Sequence, residues 1–229
     1  MLLRLLALSF LLFLSACSED ATHAKGARIL AVGDSLMASN RALGQSVPQG
    51  IERLLGEEVV DRSIPGARFL HALPLSGAAG LRIASQFQAG DWDVVIVNGG
   101  GNDLLFGCAC GRCDGVLNRL ISSDGRAGAI PAFVKSVRDS GARVVMVGYL
   151  RNPGVMTPIK GCRPAGDELD RRLAALDRLD DGMVFVALAD LVPHGDTSFH
   201  GIDLIHPSAK GSTAIARRLA PHVKAALSP

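Results

Sequence analysis

The chain is poor in aromatic residues, which make up 4% of it, with a single tryptophan, Trp92, and a single tyrosine, Tyr149. That leaves too few rings for a platform on which nucleic-acid bases stack. An excess of either charge is missing as well. Lys and Arg number 24 against 22 Asp and Glu, a formal net charge of +2, and such a balance carries no electrostatic footprint for nucleic acid. No apolar run reaches the ~20 residues of a membrane-spanning helix. The one Gly-rich block lacks the Gly-Lys-Ser/Thr ending of a P-loop and the spacing of a dinucleotide fingerprint. The serine that follows the first apolar segment is not in a Gly-x-Ser-x-Gly elbow, because Met37 stands where the second Gly would be.

What the sequence does have begins at its amino end. After Met1 to Arg4, residues 5–14 are apolar except for Ser9. The run has the length of a secretory signal core rather than a membrane span, and small residues follow it. Leu14-Ser15-Ala16-Cys17 resembles the bacterial lipobox, in which the cysteine becomes the lipidated first residue. The expectation is a signal peptide over residues 1–16, lipidation at Cys17, a small polar tether to residue 27, and one domain over residues 28–229. The protein would then be an exported lipoprotein of the bacterial cell envelope, membrane-bound through that anchor, with the periplasmic face expected.

Four further cysteines remain: Cys108, Cys110, Cys113 and Cys162. In an exported protein an even number reads as two disulfides, and zinc ligation is the competing use. The expected pairing is Cys110 with Cys113 and Cys108 with Cys162. Cys108 with Cys113 and Cys110 with Cys162 is the alternative.

Five segments read as strands: residues 28–32, 58–63, 94–98, 143–148 and 183–188. Four are short, mostly continuous Val- and Ile-rich runs, as strands covered on both faces are; 58–63 is the least apolar. Helical patterns fall between them, at 131–140 and 167–179. A last helix is expected to open with Pro207 at its first position and to kink or stop at Pro221. Strand and helix alternating in this way imply a three-layer α/β/α sandwich around a five-stranded parallel sheet. Ligands bind such sheets at the carboxyl ends of the strands.

Four blocks sit where that rule puts chemistry. Gly33-Asp34-Ser35-Leu36 follows the first strand, and Ser63-Ile64-Pro65-Gly66-Ala67 the second. Asn98-Gly99-Gly100-Gly101-Asn102-Asp103 follows the third, and Asp203-Leu204-Ile205-His206-Pro207 precedes the last helix. Ser35 is a candidate nucleophile, His206 a base for it, and Asp203 the group that orients His206. The backbone N–H of Gly66 and the side-chain amide of Asn102 are candidate donors to an oxyanion. Taken singly, each block also reads as a cap or a turn. The remaining histidines, His23, His71, His194, His200 and His222, read as surface or packing residues.

In this order the blocks resemble the GDSL, or SGNH, hydrolases, from about Gly33 to Pro207. The family's name residues fall on Ser35, Gly66, Asn102 and His206. The resemblance implies a flavodoxin-like sandwich and a serine esterase working through an acyl-enzyme on Ser35. It further implies an oxyanion hole from Ser35, Gly66 and Asn102, an ester substrate, and no metal or organic cofactor. Three other readings stay open: a deacetylase of envelope or extracellular polysaccharide, a non-catalytic envelope lipoprotein, and a zinc protein.

Overall fold

The computed structural model describes residues 26–157 and 159–228. The signal segment, Cys17, most of the tether and His23 lie outside the described residues.

All five strands form and pair in parallel, in the order β2-β1-β3-β4-β5. They are β1 (Ile29–Val32), β2 (Val59–Asp61), β3 (Val94–Asn98), β4 (Arg143–Val147) and β5 (Met183–Val186). Every residue of β1 and β3 is buried, so their near-continuous apolar runs are what two covered faces require. β2 is an edge strand paired only with β1 and is largely half-buried, which explains its weaker apolar pattern.

Alternate strand residues feed two separate cores. Leu30, Val95 and Met146 face one, shared with Leu120, Phe133 and Leu169. Ile29, Ile96 and Val145 face the other, shared with Ile51, Ile215 and Leu219. The α-helices of four residues or more are α1 (Ser35–Ala38), α2 (Val47–Leu55), α3 (Gly101–Cys108), α4 (Asp114–Leu120), α5 (Ala129–Asp139), α6 (Arg163–Asp177) and α7 (Ala209–Leu227). α5 and α6 cover the first core's face of the sheet, and α2 and α7 cover the second's.

Two expectations about α7 need correction. The helix starts at Ala209, with Ser208 as its cap accepting from the Gly211 N–H, while Pro207 bridges to His200 instead. Nor does Pro221 end it, since α7 continues to Leu227. Pro221 and Arg217, whose carbonyl loses its i+4 donor, both lie on the exposed face. Water can serve that carbonyl there, so the break is tolerated.

The expected cysteine pairing is also corrected. Cys108 bonds to Cys113, and Cys110 to Cys162. α3 ends in left-handed turns at Ala109 and Cys110, which carry Cys110 across to the start of α6. All four thiols are consumed, so the zinc reading loses its ligands.

Candidate active site

In the order 2-1-3-4-5 the chain turns one way from β1 and the other way from β3, which opens a crevice at their carboxyl ends. Ser35 leaves β1 and Asn102 leaves β3 at that crevice. Gly33 makes the exit possible: its φ is 153°, and a Cβ there would lie 2.7 Å from the Asn98 carbonyl oxygen. The buried Gln86 side chain holds the turn, accepting from Gly33 N at 2.7 Å and donating to Gly33 O at 2.9 Å.

Asp34 caps α1, with Oδ1 accepting from Leu36 N at 3.0 Å. The capping reading of this block therefore holds. Its Oδ2 accepts from the Tyr149 hydroxyl at 2.5 Å and from Asn102 Nδ2 at 3.3 Å. Burial pushes the Asp34 carboxyl up, against the Tyr149 and Leu36 hydrogen bonds and the nearby His206, which pull it down. Tyr149 in turn accepts from the Gly101 N–H at 3.0 Å. Burial and then the Asp34 charge drive its own pKa well above the usual phenol value, so it stays a neutral donor. A Cβ at Gly101 would come within 2.7 Å of the Tyr149 ring. The Gly-rich block is thus shaped for packing against a tyrosine, with one of its N–H groups already used.

Asn102 spends its second amide hydrogen on the Ala67 carbonyl, at 3.2 Å. That contact ties β3's exit to the turn after β2. In that turn Ala67 N donates to Ile64 O, Pro65 and Gly66 are central, and Gly66 has a φ of 79°, the geometry of a Pro-Gly type II turn. Next to Asn102, the buried Asp103 accepts from Phe69 N at 3.0 Å and Leu70 N at 2.8 Å. Burial raises its pKa to about 6 against those bonds. Among the described residues, the N–H groups of Ser35 and Gly66 donate to no protein group.

His206 sits on a hairpin-like turn pinned by Gly201 N to His206 O at 2.8 Å and Ser208 N to Phe199 O at 3.0 Å. Leu204 takes a left-handed φ of 55°, a strained choice for a leucine that reverses the chain between acid and histidine. Asp203 Oδ1 then accepts from the N–H groups of Ile205 and His206, and Oδ2 meets His206 Nδ1 at 2.6 Å. Partial burial would raise the Asp203 pKa, but these three hydrogen bonds prevail and hold it down to about 2. Asn40 clamps this turn to the serine loop, its Nδ2 donating to Pro207 O at 3.0 Å and Ser212 Oγ at 2.9 Å.

Ser35, Asn102, Tyr149, Leu169, Ile205 and His206 line one cavity of about 130 Å³. Most of its remaining wall is apolar, from Leu104, Leu105, Leu150 and Ile159, with Cys162 at the rim. Gly66 is not part of that lining, although its turn touches Asn102. Among the described residues no hydrogen bond joins Ser35 Oγ to His206, a contact that often tightens only with substrate bound. Arg151 lines the cavity too, neutralised by Asp167 at 2.8 Å and Asp170 at 2.6 Å. His200 is buried, its ring nitrogens unpaired among the described residues, and burial lowers its pKa. His71 packs between Arg68 and Ser76.

Residues 31–214 match the GDSL-like Lipase/Acylhydrolase family. The chain belongs to that family. Membership implies esterase or acylhydrolase activity. Among solved structures, the hydrolase is similar to TesA, with a TM-score of 0.62 at 21% identity over 87% of this chain and 99% of that one. It is similar to a Slackia heliotrinireducens protein described as an SGNH hydrolase (TM-score 0.56, 21% identity, 86% and 98% covered). An extracellular lipase from Streptomyces rimosus also shares the fold (TM-score 0.54, 19% identity, 86% and 98% covered). At such identities the likeness is one of fold. No curated protein matches the sequence.

Three supports escaped the sequence reading: Tyr149, Asn40 and Gln86. The one signal available was that Tyr149 is the chain's sole tyrosine and directly follows a strand.

Proposed function

We propose that the protein is a serine carboxylic-ester hydrolase with Ser35 as nucleophile. The observation that carries this reading is the meeting, in one apolar cavity at the β1/β3 crevice, of Ser35 with a histidine already held by a carboxylate. Ser35 Oγ attacks the ester carbonyl carbon while His206 Nε2 takes its proton. The imidazolium formed is stabilised by Asp203, which stays ionised down to about pH 2. His206 then protonates the leaving alcohol, and water releases the acyl group by the same steps in reverse. The N–H groups of Ser35 and Gly66, free among the described residues, receive the oxyanion. Asn102 joins them by exchanging its long bonds to Ala67 and Asp34 for one to the developing charge. Nothing in this sequence of steps calls for a cofactor.

The cavity is comparable to one that holds a benzene molecule. Its leucine and isoleucine walls favour an acyl chain longer than acetyl, and so an esterase over a polysaccharide deacetylase. An exported envelope lipoprotein, anchored through Cys17, is the proposed setting, supported by the apolar leader and Leu14-Ser15-Ala16-Cys17. A panel of esters graded in acyl length, assayed with the parent and Ser35→Ala, tests the reaction. Turnover confined to the parent and strongest above acetyl is expected; equal turnover by both proteins on every ester removes Ser35 as nucleophile.

A further inference from the structure

Large apolar side chains are left in water on the connections that follow the carboxyl ends of the strands, most of which also supply this cavity's lining. Leu75 (89% exposed) lies between β2 and β3, and Phe106 (64%) on α3 beside the cavity-lining Leu105. Met156 (80%) lies between the cavity-lining Asn152 and Ile159, and Ile202 stands fully exposed next to Asp203. Each comes from a different connection leaving the carboxyl edge of the sheet. Of the helices that cover the sheet's faces, α5, α6 and α7 expose no large apolar side chain among the described residues, and α2 exposes only Leu54, at 50%.

A second observation concerns charge. The Cys110–Cys162 disulfide draws residues 108–113 against residues 160–163. That gathers three exposed cations, Arg112, Lys160 and the cavity-lining Arg163, near the bridge at the cavity-lining Cys162. Residues 104–113 and 149–166 contain no Asp or Glu. Among the described residues Arg112 and Lys160 make no ion pair, and Arg163 reaches only Asp167, at 3.8 Å.

We infer that this face docks on an anionic lipid surface. Leu75, Phe106, Met156 and Ile202 enter the boundary between headgroups and acyl chains, and Arg112, Lys160 and Arg163 meet the headgroup phosphates. Buried apolar area and attraction to anionic lipid are the two terms that hold a protein at such an interface. A second copy of the chain is the poorer occupant, because a two-fold contact would set the same cations against each other. The inference rests on the ester-hydrolase reading for its purpose: an ester could pass from the lipid layer into the cavity without crossing water. The docking itself is measurable without any turnover.

Both cores, all five strands and every cavity-lining residue lie from Ala27 onward. The chain from Ser18 therefore keeps the folded unit and drops only the proposed anchor. That protein, as Ser35→Ala, is sedimented with vesicles of phosphatidylglycerol and phosphatidylcholine in equal parts, and with phosphatidylcholine alone. Binding to the anionic vesicles that weakens with salt is expected. Arg112→Ser with Lys160→Ser should lower it on the order of 30-fold, at about fivefold per charge. Leu75→Ser, Phe106→Ser and Met156→Ser together should lower it at least tenfold. In the Ser35 parent, the same three changes should leave hydrolysis of a short water-soluble ester within twofold. No binding to the anionic vesicles, or variants that bind as the parent does, overturns the inference. So does a lipid-free dimer that the three serine changes dissolve. Loss of soluble-ester turnover in the parent itself would strike the hydrolase reading and leave the vesicle result standing.

Discussion

Replacing Tyr149 by Phe removes one oxygen atom and tests whether the buried hydrogen-bond chain behind the crevice holds the site together. The hydroxyl donates to Asp34 Oδ2 at 2.5 Å and accepts from Gly101 N at 3.0 Å. A hydrogen bond to a charged group is worth ~1.5–3 kcal/mol, and a buried N–H left without a partner costs ~1–3 kcal/mol. Since both ends lie inside the protein, a loss of about 3 kcal/mol is expected. For a chain of this size each kcal/mol moves Tm by ~2–4 °C, so Tm should fall by about 6–12 °C at neutral pH. The pH dependence is the more searching readout. Tyr149 lowers the pKa of Asp34 against the larger effect of burial. Its removal lets the folded pKa climb further, so the folded variant takes up a proton more readily than the parent. The deficit should be largest where Asp34 is ionised in both proteins and shrink as the pH falls. Near-UV circular dichroism melts across the acid range would follow it. A Tm within about 2 °C of the parent at neutral pH, or a deficit that grows in acid, refutes the account.

Three further outcomes follow from the same geometry. Asn102→Ala should lower turnover ~10²–10³-fold, the usual loss for one oxyanion donor, and unchanged single-turnover rates would remove Asn102 from that role. The raised Asp103 pKa, about 6, means that the folded state binds the proton more tightly than the unfolded chain. Its contribution therefore favours folding below the unfolded pKa of ~3.9 and fades as pH rises towards 6. Urea titrations between those limits should show stability falling with pH, less steeply in Asp103→Asn; equal slopes would contradict the assignment. Cys110→Ser with Cys162→Ser opens a bridge of sequence separation 52 and should cost about 4 kcal/mol by loop entropy, read from the shift in urea midpoint.

Patterns that depend on local repetition were legible in the sequence. Four strands lie within a residue or two of their apolar runs, because a strand buried on both faces leaves an uninterrupted trace in its own residues. The second was harder to see, being an edge strand with one partner and one-sided demands. Ser35, Asn102, Asp203 and His206 could be picked out because each stands in a short motif beside an element boundary. Tyr149, Asn40 and Gln86 could not be. Their roles exist only across separations of 115, 167 and 53 residues, and nothing in their flanking residues records such contacts. Pro221 does not stop α7, because tolerance depends on which side of the helix faces water. The cysteine pairing misled because four cysteines admit three connectivities, and spacing does not choose among them.

That connectivity sets an order of events. Cys108, Cys110 and Cys113 are synthesised before Cys162. The short bridge from Cys108 to Cys113 can close at once, leaving Cys110 unpaired for about fifty residues of further synthesis. Its two neighbours are the nearest wrong partners, since small loops close at the lowest entropic cost. A bond from Cys110 to Cys113 at that stage would leave Cys108 to capture Cys162, a closed but misconnected molecule. Chains that take this second route reach the native pairing only by thiol exchange, and without an isomerase they should accumulate in the misconnected form.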